Sequence, residues 1–251
     1  MKLSVLIIAR NEEKKIKKCL ESLIFADEII IVLDRCSDNT KKIVKKYTRK
    51  VFSGEWLSEG QRRNFGIEKC NHDWILEIDA DEVVSEKLSV EIKKNISKEE
   101  FDYFYVPIIN FVGKREIKFG WMACMAPDGK FSLFKKTSKL WLDGYVHPSY
   151  SMNGKKGKPL KEPILHYMSD NISDLITRFN RNTSLNSKDL KNSKTNYEKL
   201  FSVRKIFSRF FKSYISRRGY KSGKIGLLVS ILCGIYPLVS SIKATSKIEE
   251  N

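Results

Sequence analysis

Short apolar runs alternate with polar, amphipathic stretches through the first third of the chain. Leu3–Ala9 is almost continuously apolar, the pattern of a strand covered on both faces of a parallel sheet. Glu28–Leu33 and Trp74–Ile78 repeat it, and Val51–Phe52 is a shorter version. Between these runs the period changes from two to about 3.6. Asn11 stands as a cap before acids, and Ile16, Cys19, Leu20 and Leu23 then fall on one face, which predicts a helix over 12–24. Further helices are expected at 40–47 and 60–69. This alternation predicts an α/β fold: a mixed, mainly parallel sheet with helices on both faces and right-handed crossovers. Farther on, 101–119 reads as strands with a turn near Gly113, and 172–190 as an amphipathic helix. Amphipathic C-terminal helices follow.

Three of the strands end in polar or acidic loops: Ala9-Arg10-Asn11-Glu12, Asp34 to Asp38, and Asp79-Ala80-Asp81-Glu82. In an open α/β sheet, ligands bind where such ends line up. Three carboxylates within four residues repel each other unless a cation sits among them. A divalent Mn²⁺ or Mg²⁺ carrying a diphosphate is one such cation. A solvated acidic turn explains the same letters. No Gly-rich phosphate loop follows the first strand, so a Rossmann dehydrogenase and a P-loop NTPase are both disfavoured.

Charge narrows the partners. The 251 residues carry a net charge of +17, which calls for an anionic partner. Five scattered cysteines with no C-x-x-C pair give neither a zinc site nor a disulfide framework, and they fit a reducing cytoplasm. Residues 170–251 hold 16 Lys/Arg against 6 Asp/Glu. Within them, 204–215 is basic and aromatic at helical spacing, a pattern for lying in an anionic membrane surface. The 18 residues from Ile225 to Ile242 carry no charge. They are open to three readings: an interfacial or re-entrant segment, a packing helix, or a span. No RRM, zinc-finger or helix-turn-helix pattern is present, and nucleic acid is not expected as a partner.

Four ordered motifs carry a resemblance. They are Val5–Glu13, Asp34 with Ser37-Asp38-Asn39-Thr40, Gln61–Gly66, and Leu76–Glu82. Together they resemble family 2 glycosyltransferases, and more closely the bacterial lipopolysaccharide core glucosyltransferase branch. The resemblance implies a GT-A fold, with a catalytic domain over 1–168 (donor half 1–82, acceptor half 83–168) and a basic helical region over 169–251. It implies a UDP-sugar donor touched by Ala9, Arg10, Glu12, Asp34, Gln61, Arg63, Asn64, Asp79 and Asp81, with Asp81 and Asp79 at the metal. It also implies a lipid-linked or lipopolysaccharide glycan as acceptor, and a cytoplasmic protein peripheral on the inner face of the membrane.

The resemblance also implies inversion at the anomeric centre, which needs a general base for the acceptor hydroxyl. The branch often has Val-His-Glu where this chain has Val146-His147-Pro148, so the usual Glu is gone. Asp143 is the first candidate, His147 the second and Asp128 the third. A histidine, His147 or His166, is an alternative metal ligand, and His166 also reads as a buried hydrogen-bonded residue. Trp121, Asp128, His166, Arg178 and Arg181 are the acceptor-side candidates, and Met122–Ala126 reads as a loop over that side. The competing functions are a sugar nucleotidyltransferase, a basic nucleic-acid-binding module and an inactive family member.

Overall fold

The computed structural model describes residues 1–145, 148–192 and 202–246. By contacts the chain divides into two units. The first holds Met1–Ile109, Gly129–Gly144 and Pro148–Tyr167; the second holds Asn110–Asp128, Tyr145–His147 and Met168–Asn251. The break at Tyr167/Met168 lies beside the boundary expected after 168, but Asn110–Asp128 joins the C-terminal unit.

In the first unit the apolar runs form β1 (Leu3–Ala9), β2 (Glu28–Asp34), β3 (Val51–Gly54) and β4 (Trp74–Asp79). β1 lies between β2 and β4, parallel to both, and β3 is parallel to β2. Among the described residues nine strands make one sheet, ordered β3-β2-β1-β4-β8-β6-β11-β5, with β7 paired to β6. The added strands are β5 (Glu82–Val83), β6 (Tyr103–Val112), β7 (Arg115–Ile117), β8 (Gly129–Lys135) and β11 (Ile164–Ser169). β8 runs antiparallel to β4 and to β6, so the sheet is mixed as expected. β9 (Lys139–Trp141) and β10 (Tyr150–Met152) form a separate hairpin.

Burial on both faces explains the continuous apolar runs. Leu3, Val5 and Ile7 of β1 pack with α1 (Ile16–Glu21), α2 (Thr40–Val44) and α4 (Glu86–Ile96). Leu6 and Ile8 of the same strand point the other way, into a cluster with Ile67 of α3 (Glu59–Lys69). The period of two places a covering layer on each side.

The first helix is shorter than expected, and Asn11 does not cap it. α1 begins at Ile16 after Lys15. Asn11 is in the left-handed region (φ 56°), and its side-chain oxygen accepts from the Ser37 amide at 2.8 Å. A short polar side chain tolerates that backbone while bonding across to the next loop.

In the second unit, α5 (Ile172–Asn192), α6 (Val203–Phe211) and α7 (Gly223–Thr245) pack together. A π turn (Lys212–Ser216) and a 3₁₀ turn (Gly219–Ser222) join the last two. Trp121, Met122 and Met125 are buried with Val229, Leu232 and Tyr236 of α7. The stretch read as a loop over the acceptor side is therefore core, because its methionines fill the space beside α7. The uncharged run sits inside α7, which is long and apolar enough to cross a membrane, although half of that window is buried within the protein.

Candidate active site

The parallel strands bring their acidic ends to one edge. At the end of β2, Asp34 is 2% exposed and accepts from Arg62 at 2.8 Å and from its neighbour Arg35 at 3.0 Å. Ser58 caps α3 by accepting from the Gln61 amide at 3.2 Å. The cap starts the helix at the place where Arg62 and Arg63 project over the strand ends. Gly60 is needed there, since an added Cβ would stand 2.0 Å from the Leu142 carbonyl. The Glu12 amide donates to Thr40 Oγ1 at 2.8 Å, which ties the loop after β1 to α2.

Beneath this edge lies a buried ionic network. Glu77 interrupts the apolar strand β4 and is 2% exposed. Its carboxylate receives Arg63 at 2.7 Å and Lys139 at 2.7 Å. Arg63 also reaches Glu59 at 2.6 Å and Asp79 at 3.2 Å. Lys130, from β8, donates to Asp79 at 3.0 Å and to Glu82 at 2.7 Å. Glu82 in turn accepts the Asp79 amide at 2.8 Å. Burial alone would raise the Asp79 carboxyl, but Lys130 and Arg63 outweigh it and hold it well below the carboxylate range. At Glu82 burial prevails over Lys130, helped by the charge of Asp79, and its carboxyl is raised. Burial also lowers Lys139 to about 8, despite Glu77 beside it.

Asp81 and His166 lie beside that network, with the His166 ring close enough to act on the charges of Asp79 and Glu82. Asp81 is 7% exposed, and its carboxylate lies 3.3 Å from His166 Nε2. The pairing of β5 with β11 sets Glu82 opposite His166, and the Tyr167 amide donates to the Asp81 carbonyl at 2.9 Å. A carboxylate oxygen suits Mn²⁺ or Mg²⁺ alike, whereas an imidazole nitrogen suits first-row transition ions, so of the two the pair favours Mn²⁺. Among the described residues no three His, Cys, Asp or Glu gather as a full cage. Such ions in nucleotide sites take their remaining ligands from phosphate and water, so the pair fits the expected ion. Asp79 fits it less well, because each of its oxygens already faces a cation.

The other expected residues fall in several places. Ala9, Asp34, Arg63, Asp79, Asp81 and His166 lie in the first unit, as do Arg10, Glu12 and Gln61 in its loops and on α3. Asn64 is on α3 too, but its amide is committed to β9: it donates to the Trp141 carbonyl at 2.8 Å and accepts the Trp141 amide at 3.0 Å. Asp143 is exposed and accepts from Ser58 Oγ at 2.9 Å, at the start of α3. His147 lies outside the described residues. Trp121 cannot offer a face to a sugar, because it is 2% exposed and its Nε1 donates to the Ile117 carbonyl. Asp128 pairs with Arg217 at 2.8 Å, and Arg178 and Arg181 lie on α5, all in the second unit. Sequence reasoning missed Arg62, Lys130 and Lys139 as site residues. Arg62 stood in a quoted motif; the two lysines occupy ordinary strands with no local signature.

The family described as "Glycosyl transferase family 2" matches residues 4–150. An uncharacterized glycosyltransferase of Rickettsia conorii is 27% identical over 92% of this chain and 85% of its own length. A lipopolysaccharide core biosynthesis glycosyltransferase, LpsC of Rhizobium meliloti, is 22% identical over 96% of this chain and 91% of its own. Among solved structures, S. aureus TarS 1–349 aligns over 100% of this chain and 92% of that one, at a TM-score of 0.49 and 14% identity.

Proposed function

The chain belongs to glycosyl transferase family 2, and we propose that it moves a hexose, glucose, from UDP to a lipopolysaccharide core or other lipid-linked glycan with inversion, using a divalent metal. The observation that carries the reading is the Asp81–His166 pair at 3.3 Å, beside a row of acidic strand ends and a buried Arg/Lys network. The comparison with LpsC supports the acceptor class.

Each residue has a task in this reading. Asp34, held by Arg62, faces the base of the donor. Asp79, kept ionised by Lys130 and Arg63, accepts from the ribose hydroxyls. Asp81 and His166 hold the metal, which when bound supplies positive charge to the departing diphosphate. Arg63 and Lys130 add fixed positive charge on the same side, already oriented by their carboxylates. Asp143, oriented by Ser58, takes the proton of the acceptor hydroxyl as it attacks the anomeric carbon.

Release of UDP from a panel of nucleotide sugars tests the donor and the metal together. Slow turnover of UDP-glucose with Mn²⁺ or Mg²⁺, abolished by EDTA, is the expected result. Turnover that survives EDTA would remove the metal from the account. Asp143→Asn should lower transfer to an acceptor by about 10²-fold or more while leaving donor binding intact. Equal transfer by that variant would exclude Asp143 as the base.

A further inference from the structure

α6 presents one row of large apolar side chains to solvent. Val203, Phe207 and Phe211 recur every four residues, and Ile215 continues the spacing into the π turn. They are 66%, 57%, 54% and 54% exposed. Isolated exposed apolar residues are ordinary, but a contiguous row of four is a contact surface. The other side of α6 is already fixed. An added Cβ on Gly234 of α7 would come within 3.1 Å of the Ile206 carbonyl, and Arg209 donates to the Cys233 carbonyl at 2.9 Å. Phe210 stacks on Tyr214 at 5.4 Å. The row is therefore the outer face of a docked helix.

Cations flank the row. From Val203 to Lys224 there are eight Lys/Arg and no Asp/Glu. Arg204, Lys205, Lys212, Arg218, Lys221 and Lys224 are exposed. Where the row ends at Ile215, the chain enters a cavity of about 270 Å³ lined by Lys118, Trp121, Asp128, Arg217 and Arg218. Arg217 is oriented there by the Trp121 carbonyl at 2.9 Å and by Asp128 at 2.8 Å. Arg218 is held in the left-handed region, φ 57°. Lys118 pairs with Glu116 at 3.3 Å and Arg217 with Asp128, which leaves Arg218 as the exposed cation at the cavity mouth.

We infer that this face docks on an anionic phospholipid bilayer, with the α6 row entering the acyl boundary and the basic cavity at its end receiving a phosphodiester headgroup. An apolar row flanked by cations is what a charged interface selects. Nucleic acid would be met by the cations alone and would leave the row unexplained. The contact lies on α6, and the half-buried α7 packs behind it at Cys233 and Gly234. Docking does not depend on the sugar-transfer reading, and either can fail alone.

The test is cosedimentation of the full chain with vesicles of phosphatidylcholine, alone or mixed with phosphatidylglycerol. The expected result is binding to the mixed vesicles only, reversed by sodium chloride. The Phe207→Ser/Phe211→Ser variant should bind at least about tenfold more weakly, and Arg218→Gln about fivefold. Both variants should hydrolyse donor in solution as wild type does. Equal binding to phosphatidylcholine alone, or unchanged binding by the double variant, would overturn the inference. So would full release by inorganic phosphate at an ionic strength where chloride releases none, since the cavity would then be a site for free phosphate.

Discussion

In the first unit Arg63, Lys130 and Lys139 have side chains only 12%, 18% and 1% exposed, each against one or more carboxylates. In the second unit Arg204, Lys205 and Lys212 stand on the surface of a helix whose apolar row also faces out. One positive charge per residue thus does two different things. Burying an ion costs several kcal/mol, so the inner cations persist only where carboxylates match them, and they then fix geometry. Exposed cations add little to stability. Their number on α6 and the turn after it is what the proposed bilayer contact would explain.

The sharpest way to break the comparison is at the first unit's edge, at Asp81. Asp81→Ala should lower turnover about 10³- to 10⁴-fold, roughly 4–5 kcal/mol, while the chain still unfolds cooperatively in urea. Loss of both activity and fold would mean that Asp81 is structural. Next comes the network itself. Glu77→Leu leaves Arg63 and Lys139 without their shared carboxylate and should destabilise by about 3–5 kcal/mol in urea unfolding.

A smaller effect sharpens the contrast through pH. Lys139 has its pKa lowered to about 8 in the folded chain, against 10.5 for an ordinary lysine. Below that value both folded and unfolded states hold the proton. Above it the unfolded chain keeps a proton that the folded chain has lost, so the unfolded state binds more protons and stability rises with pH. Relative to Lys139→Met, wild type should gain up to about 1.4 kcal/mol per pH unit across that window. A flat difference would show that Lys139 titrates normally. The smallest effect belongs to the second unit: Phe207→Ser/Phe211→Ser should shift stability by no more than about 0.5 kcal/mol per site, since both rings are already in solvent.

Much of the donor side was legible in the chain. β1, β2 and β4 announced themselves because both of their faces are buried, and Asp34, Asp79 and Asp81 followed from where those runs stop. Two things could not be read locally. The lysine partners of Asp79 and Glu77 arrive some fifty to sixty residues later, from strands that carry no motif. That pairing gives Asp79 to Lys130 and Arg63 and Asp81 to His166, where the resemblance implied both at the metal. Asn11 misled for the same reason. A cap and a bridge use the same side-chain oxygen, and only the β1–β2 register places Ser37 in reach. In the second unit the basic, aromatic spacing of 204–215 already marked α6 as a surface helix, but it did not say which rings stay outside: Phe207 and Phe211 are exposed, whereas Phe210 is half-buried and stacks on Tyr214.

Calorimetric titration of UDP into the protein, with and without Mn²⁺, tests the central claim most directly. For wild type the account predicts that Mn²⁺ tightens UDP binding at least about tenfold, and that Asp81→Ala binds UDP equally with and without the ion. UDP binding to wild type that ignores Mn²⁺, or a metal effect that survives Asp81→Ala, would contradict it.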